Sequence, residues 1–308
     1  MRMVSRKAAI CGVVILFLGA TSCRDRTRSN ADSARALPPV FPGAPVGNTG
    51  WDADAGNVAI IPFDNSRDTV AVIIPEATDS TVSIVETISA PVSGLTFDLF
   101  SRGGKVVSAI RSVPLPPPDT SKLECYGWPL ARLTEKQVGW TVGFVSGHAQ
   151  LIPLDSIDAL HGGDSVALAA SLVRAASTLR GVSDPAFRGL PFRVRSAFTF
   201  HVDSVDAVIA DVVRVVNEEA NPQVEHILLV GERAAGSTST YNVRYSNRTA
   251  GKEDSTPASE LVAVLAIGGS KRPAIIISIE YSDGSRLGLL EKIDGEWRAT
   301  WRSAYTDC

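Results

Sequence analysis

The sequence has few of the residues that most often carry recognisable chemistry. Its 308 residues include only four cysteines and four histidines, without a C-x-x-C pair and without H-E-x-x-H or H-x-H spacing. These absences argue against thiol redox catalysis and against a metal site, and we expect no cofactor. A serine nucleophile also lacks its usual setting, because neither a G-x-S-x-G elbow nor an S-x-x-K motif occurs.

Dense positive charge and long apolar runs are also missing from most of the chain. The formal net charge is −3, and removal of the basic residues Arg2, Arg6 and Lys7 with a signal peptide would take it to −6. Without a basic patch the chain has no electrostatic footprint for nucleic acid. Beyond the N-terminus, no segment is apolar over the length that a membrane-spanning helix requires.

The first 23 residues are the most informative part of the sequence. A basic start is followed by the apolar run 8–20, and the small residues Ala20, Thr21 and Ser22 then lead into Cys23. Basic, apolar and small-residue regions in this order predict a secretory signal peptide over residues 1–22. The apolar run of about 13 residues is too short for a permanent membrane helix.

The cysteine at the cleavage point resembles the lipobox of bacterial lipoproteins. This resemblance implies that Cys23 becomes the acylated N-terminus, carrying palmitate and other acyl chains, and that the protein binds a lipid membrane through this anchor. Arg24 stands where lipoproteins of the inner membrane often have Asp, which favours the outer membrane. Ordinary cleavage after Ala20-Thr21-Ser22 is the alternative and would release a soluble secreted protein.

Residues 23–50 contain the lipidation site and a segment rich in Ser, Asn, Arg, Pro and Gly. Such a composition predicts a disordered tether with a reach of roughly 30 Å. Of the remaining cysteines, Cys125 and Cys308 would both be exposed to an oxidising compartment. They most simply form one disulfide bond, although two free thiols or intermolecular pairing stay open.

The rest of the chain predicts a mainly β fold. Short β-branched runs separated by turn residues fill an N-terminal β region (51–153) and a C-terminal antiparallel β region (182–308). Asp283-Gly284 and Asp294-Gly295 are strong hairpin turns in the second region. Strands with this spacing indicate a sandwich, a barrel or part of a propeller.

One amphipathic helix is expected in the connector 154–181, packed between sheets or domains. Asp164 or Ser165 can cap its start, and Gly181 can end it. Its apolar stripe consists of Leu168, Leu172, Ala175, Ala176 and Leu179. The segment Val205–Val216 also fits a helical stripe, but its many β-branched residues favour a strand.

The segment 261–301 resembles the β-hairpin of FG-GAP or VCBS repeats, which occur in bacterial adhesins and integrin propellers. The resemblance rests on a strand, a Gly-rich turn, Arg272-Pro273 and a second apolar strand. Those repeats carry calcium-binding aspartates in the turn. Here the turn has Lys271 and Arg272 and lacks a carboxylate, so the calcium function is not carried over.

Two groups of residues are candidates for a site. Glu218, Glu219, Glu225 and Glu232 form the densest acidic cluster, which a hairpin could bring together for acid–base chemistry or cation binding. Trp297 and Trp301 lie four residues apart on one expected strand and could form an aromatic surface for a sugar. A solvated turn and a packed core are the simpler interpretations of these two groups.

Two functions remain open from the sequence. The first is a non-catalytic binding or assembly module of the cell envelope, whose partner is an envelope protein or a glycan. The second is an envelope hydrolase that acts on glycan or peptide through acidic residues near Glu219. The lipid anchor would be common to both functions.

Overall fold

Strands make up most of the described part of the protein. The computed structural model describes residues 56, 58–63, 67–79, 90–116, 127–179, 184–217, 222–268 and 271–307. Within these ranges the strands form one closed barrel and two sheets, all with antiparallel pairing between neighbours. The expected mainly β fold is therefore confirmed, with both a barrel and a sandwich present.

The N-terminal region forms a six-stranded barrel with the strand order β1-β2-β5-β4-β3-β6. Alternate residues face its interior, where Ile60, Val72 and Leu99 are fully buried. The interior is crowded at Gly143, where a Cβ atom would lie 2.6 Å from Ile60 Cγ1. The barrel strands are β1 (Ala59–Pro62), β2 (Thr69–Ile73), β3 (Thr96–Ser101), β4 (Gly104–Pro114), β5 (Leu130–Leu133) and β6 (Val142–Val145).

A six-stranded sheet packs against the outside of this barrel. Its main path runs in the order β16-β15-β14-β13-β7, and β17 pairs beside it with β15. Asp294 and Gly295 have φ angles of 52° and 82°, as the tight β15–β16 turn requires. The strands are β7 (Ala149–Leu151), β13 (Ala258–Ile267), β14 (Arg272–Tyr281), β15 (Gly284–Ile293), β16 (Glu296–Arg302) and β17 (Thr306–Asp307).

A five-stranded sheet covers the other face of the six-stranded sheet. Its order is β12-β11-β10-β9-β8, and its central strand β10 coincides with the segment whose type was ambiguous in the sequence. The prediction of a strand there is confirmed. The strands are β8 (Asp155–Ser156), β9 (Arg193–Val202), β10 (Val205–Val216), β11 (Gln223–Ala234) and β12 (Asn242–Lys252).

The helix α1 (Gly162–Thr178) lies on the outer face of the five-stranded sheet. Leu168, Leu172 and Ala176 form its buried stripe and pack against Val208 and Leu229. Its N-cap is His161, which makes no side-chain capping bond, so the expected cap at Asp164 or Ser165 is wrong. Two short 3-10 helices, Ile157–Ala159 and Pro185–Phe187, flank α1 in the chain.

The structure differs from the expected division of the chain in two ways. β7 lies within residues 51–153 but pairs with β13 of the C-terminal region, so the sheet crosses that boundary. In addition, α1 covers one sheet and does not pack between two, because its few buried residues supply only one apolar stripe. The helix segment is therefore a covering layer of the C-terminal region.

Polar contacts join the barrel to the six-stranded sheet beside their shared apolar core. Trp301 Nε1 donates a 2.8 Å hydrogen bond to the carbonyl of Pro75. Arg102 donates to the carbonyl of Leu261, with its Nη2 at 2.7 Å. Arg286 forms a two-armed ion pair with Asp79 at 2.9 and 3.0 Å. These contacts fix the orientation of the two layers.

Several parts of the sequence analysis lie outside the described residues. They include the signal peptide, Cys23 and the tether, the cysteines Cys125 and Cys308, and the acidic pair Glu218 and Glu219. The described helices contain no segment that is both long and apolar enough to cross a bilayer.

Asp98 is a buried carboxylate on the outward face of β3, and it gives a pH-dependent prediction. Burial raises its pKa, but hydrogen bonds from Lys105, Ala109, Ser146 and Gly147 more than offset burial and hold the pKa below its usual value. Asp98 therefore stabilises the fold above its unfolded-state pKa of about 3.9, and this contribution is lost as the pH falls through the folded-state value.

We expect Asp98→Asn to lower the free energy of unfolding by about 1 to 3 kcal/mol at pH 6. The loss should shrink at pH 3, because the carboxyl group of the unfolded wild-type chain is then largely protonated, which reduces the stability that the ionised Asp98 contributes to the folded state. Urea unfolding at both pH values measures the difference, with the exposed Asp254→Asn as the matched control. An equal loss at both pH values would contradict the role of the ionised carboxylate.

Candidate functional site

A groove of about 800 Å³ crosses one end of the five-stranded sheet, on the face that carries α1. Its floor takes one residue from each of four neighbouring strands: Asp155 of β8, His201 of β9, Asp206 of β10 and Arg233 of β11. Tyr241, the residue before β12, is the last residue of the floor. Four gaps between strands, at about 4.8 Å each, give the floor a length of roughly 19 Å.

The pairing register places these floor residues on one face of the sheet. Asp206 is directly opposite His201 on β9 and directly opposite Arg233 on β11. Asp155 pairs with Thr199, two residues before His201 and on the same face. The groove therefore depends on the register of four strands.

The helix α1 forms the long wall of the groove. It contacts β9 and the 3-10 helix Ile157–Ala159. Beyond its last turn, the carbonyl of Leu179 accepts a 3.4 Å hydrogen bond from Arg248 of β12. The helix thus lies over β9 and β10 and runs toward β12. Asp164 lies at its first turn and Arg174 lies ten residues later, or roughly 15 Å along the axis.

A connected set of polar groups holds the floor in place. Asp206 accepts a 3.1 Å hydrogen bond from the backbone of Gly236 and lies 3.3 Å from His201 Nδ1 and 3.7 Å from Arg233 Nε. The Arg233 guanidinium stacks over Tyr241 at 4.4 Å. Because these groups already contact each other, the floor needs little rearrangement to receive a ligand.

Tyr241 keeps its proton over the physiological pH range. Desolvation by burial raises the pKa of its phenol, more strongly than the charge of Arg233 lowers it. The hydroxyl group can therefore both donate and accept hydrogen bonds at the groove surface.

Three charged groups of the groove are free for a ligand. Asp155, Asp164 and Arg174 are exposed, and none of them makes a side-chain hydrogen bond or ion pair with another residue of the described ranges. Asp155 of β8 and Asp164 of the first turn lie near the start of α1, and Arg174 lies ten residues further along the helix. The groove is therefore negative at one end and positive at the other.

The acidic cluster expected from the sequence does not assemble from its two described members. Glu225 and Glu232 both lie on β11, seven residues apart, so they are roughly 23 Å apart and face opposite sides of the sheet. The expectation that a hairpin brings these two carboxylates together is wrong, because the turn they were assigned to is followed by one long, regular strand.

Each of these two carboxylates is neutralised by cations in the interior. Glu225 is fully buried between Arg214 and Arg248, which lies at 3.2 Å. Glu232 accepts a 2.8 Å hydrogen bond from Trp297 Nε1 and forms a 2.9 Å ion pair with Lys292. Neither carboxylate is available for a substrate or a cation.

The expected aromatic surface is also absent, because Trp297 and Trp301 are buried to 3% and 0% exposure. Trp297 meets Phe200 edge to face in the sandwich core, whereas Trp301 packs in the core against the barrel. Their shared face was predicted from an even spacing, but the register shifts between them, with Trp301 opposite Leu289 and Ala299 opposite Leu290. The bulge turns the two rings to opposite sides of the sheet.

A second histidine–aspartate pair lies in the interior. His226 Nδ1 is 3.1 Å from Asp211, and Arg195 Nε is 2.5 Å from the same carboxylate. Arg195 also donates to the carbonyl of Ser259 on the facing sheet at 3.3 Å. Arg195 and Asp211 thus form an ion pair, and Arg195 also links the two sheets.

Comparison with known proteins identifies no relative. No family model, curated protein or solved structure matches the chain. Within the described ranges, no group of three or more His, Cys, Asp or Glu side chains could hold a metal ion.

The groove was not found by sequence analysis, although two of its residues were considered. Asp164 was interpreted as a helix cap and Leu168 as part of the apolar stripe of the helix. The groove residues are spread between positions 153 and 241, and they have neither a common motif nor a regular spacing. Only the strand register brings them together.

The buried carboxylate of Glu225 gives a prediction about stability. We expect Glu225→Gln to lower the free energy of unfolding by about 3 to 5 kcal/mol, because Arg214 and Arg248 would lose the buried negative charge that lies between them. Glu260→Gln is the matched control, since its ion pair with Arg102 is exposed and should be worth less than about 1 kcal/mol. Denaturant unfolding measures both, and equal effects would contradict a stabilising interior ion cluster.

Proposed function

We propose that the protein is a lipid-anchored binding module of the bacterial cell envelope, and that the groove across the five-stranded sheet holds its ligand. The observation that carries this proposal is the presence of three charged groups, on α1 and β8, that have no partner among the described residues and surround a preorganised polar floor. Concave sites with a few convergent polar groups are the usual form of a ligand site.

The envelope location is supported by the sequence of the N-terminus. A signal peptide over residues 1–22 leads to Cys23, and the composition of residues 24–50 suits a tether. A single acyl chain binds membranes only weakly, so stable anchoring requires several acyl chains on Cys23. The groove would then be held a few tens of ångströms from the lipid surface.

Binding is favoured over hydrolysis by the state of the acidic residues. A hydrolase that works through two carboxylates needs them in one cleft, as general acid and as base or nucleophile. Glu225 and Glu232 are instead paired with cations on opposite faces of a sheet. The described acidic residues of the cluster thus lend no support to the hydrolase alternative.

The lipid anchor is tested by replacing Cys23. We expect the wild-type protein to sediment with membranes and to incorporate labelled palmitate, and we expect Cys23→Ser to lose both properties because the acylated sulfur is gone. Cys125→Ser is the control and should keep both. A Cys23→Ser protein that stays with the membrane, or a wild-type protein that is soluble, would overturn the anchor.

The groove is tested by blocking it with a large side chain. Ser171 lines the groove, whereas Ala170 is exposed, lies about 100° away around α1 and is not part of the groove lining. We expect low-molecular-mass fractions of an envelope extract to raise the melting temperature of the full-length protein by several degrees, because a ligand that binds only the folded state stabilises it. Ser171→Trp should abolish this shift, and Ala170→Trp should retain it.

The outcomes of this experiment are distinct. A shift that survives in Ser171→Trp would place the ligand elsewhere on the protein. The absence of a shift with any fraction would contradict the proposed binding function.

A further inference from the structure

The groove carries negative charge at one end and positive charge toward the other, and this restricts what it can bind. Asp155 of β8 and Asp164 lie at the end where α1 starts, and Arg174, ten residues further along α1, lies toward its other end. Arg233, the other cation of the groove, is already shared between Asp206 and the ring of Tyr241. A ligand with a positive group at one end and a negative group at the other matches this pattern.

The length of the groove sets the size of such a ligand. Asp164 and Arg174 are roughly 15 Å apart along α1, at 1.5 Å per residue. An extended peptide rises about 3.3 Å per residue, so four or five residues cover this distance. A single amino acid is too short to reach both ends.

The groove also carries hydroxyl groups that suit a peptide backbone. The loop between β11 and β12 contributes the exposed side chains of Thr238 and Thr240, and α1 contributes Ser171. Hydroxyl groups both donate and accept, so they can pair with the amide N–H and carbonyl groups of an extended chain.

Other ligand classes fit less well. A sugar would need an open aromatic face, but Arg233 stacks on Tyr241 and the ring also packs against the apolar residues under α1. An anion such as phosphate would meet the two free carboxylates at one end. An acyl chain would need an exposed apolar wall, whereas Leu168 and Phe200 of the groove are buried.

We propose that the groove binds a linear peptide of four or five residues with free termini, its amino group at Asp155 and Asp164 and its carboxylate at Arg174. This inference rests on the proposed binding function and names the class of its ligand. The peptide lies along α1 and crosses the strand ends of the sheet.

The test uses tetra-alanine and penta-alanine as probes with the full-length protein in detergent. Each peptide is measured by calorimetry with free termini, with an acetylated N-terminus and with an amidated C-terminus. We expect each cap to weaken binding roughly tenfold or more, because it removes one charge-assisted hydrogen bond.

Two variants test which residue of the groove binds each end of the peptide. Arg174→Gln should weaken binding of the free peptide and make the free acid and the amide bind equally, while the effect of acetylation remains. Asp164→Asn should reduce the effect of acetylation and leave the effect of amidation intact. Arg188→Gln and Asp158→Asn are exposed controls outside the groove and should behave as the wild type.

The outcomes separate this inference from the function on which it rests. Equal binding of free and capped peptides, or no binding of either, would overturn the peptide assignment. If envelope fractions still stabilise the protein in a manner sensitive to Ser171→Trp, the binding function stands with a different ligand. If neither peptides nor fractions bind, both proposals are wrong.

Discussion

The burial of the six-stranded sheet on both faces is the constraint on which the rest of the structure depends. Four consecutive residues of β14, Ala274 to Ile277, are buried, and they alternate between the core against the barrel and the core of the sandwich. Each face of a central sheet must be covered by another layer. The barrel covers one face and the five-stranded sheet covers the other, which leaves only the outer face of the five-stranded sheet for α1.

The groove exists because α1 is too small to cover the whole outer face of the five-stranded sheet. A helix of 17 residues is roughly 25 Å long and only about 10 Å wide, so it cannot cover five strands of up to 12 residues. Its apolar stripe packs over the middle of the sheet and leaves one end of the strands open. Polar residues are tolerated there because water reaches them, and the same exposure makes Asp164 and Arg174 available to a ligand.

Charged residues in the interior serve the packing of these layers. Glu225, Glu232 and Asp211 are buried, and each lies within ion-pair distance of at least one arginine or lysine. Buried charges are tolerated only when they are paired and hydrogen-bonded, so acidic residues that look like a cluster in the sequence are separate structural pairs in the fold. The groove differs, because three of its charged groups, Asp155, Asp164 and Arg174, lack a side-chain partner within the described protein.

The sequence by itself determined the type of most elements and the position of most tight turns. The strand β10, the helix α1 and the Asp294-Gly295 turn follow from β-branched content, apolar periodicity and local turn chemistry, which act over a few residues. Only the tertiary structure decided which sheet β7 joins, how the bulge near Thr300 separates Trp297 from Trp301, and how Asp155, Asp206 and Arg174 come to share one groove. These outcomes depend on pairing between residues far apart in the chain, and a shift of one residue in register reverses the face of every side chain in a strand.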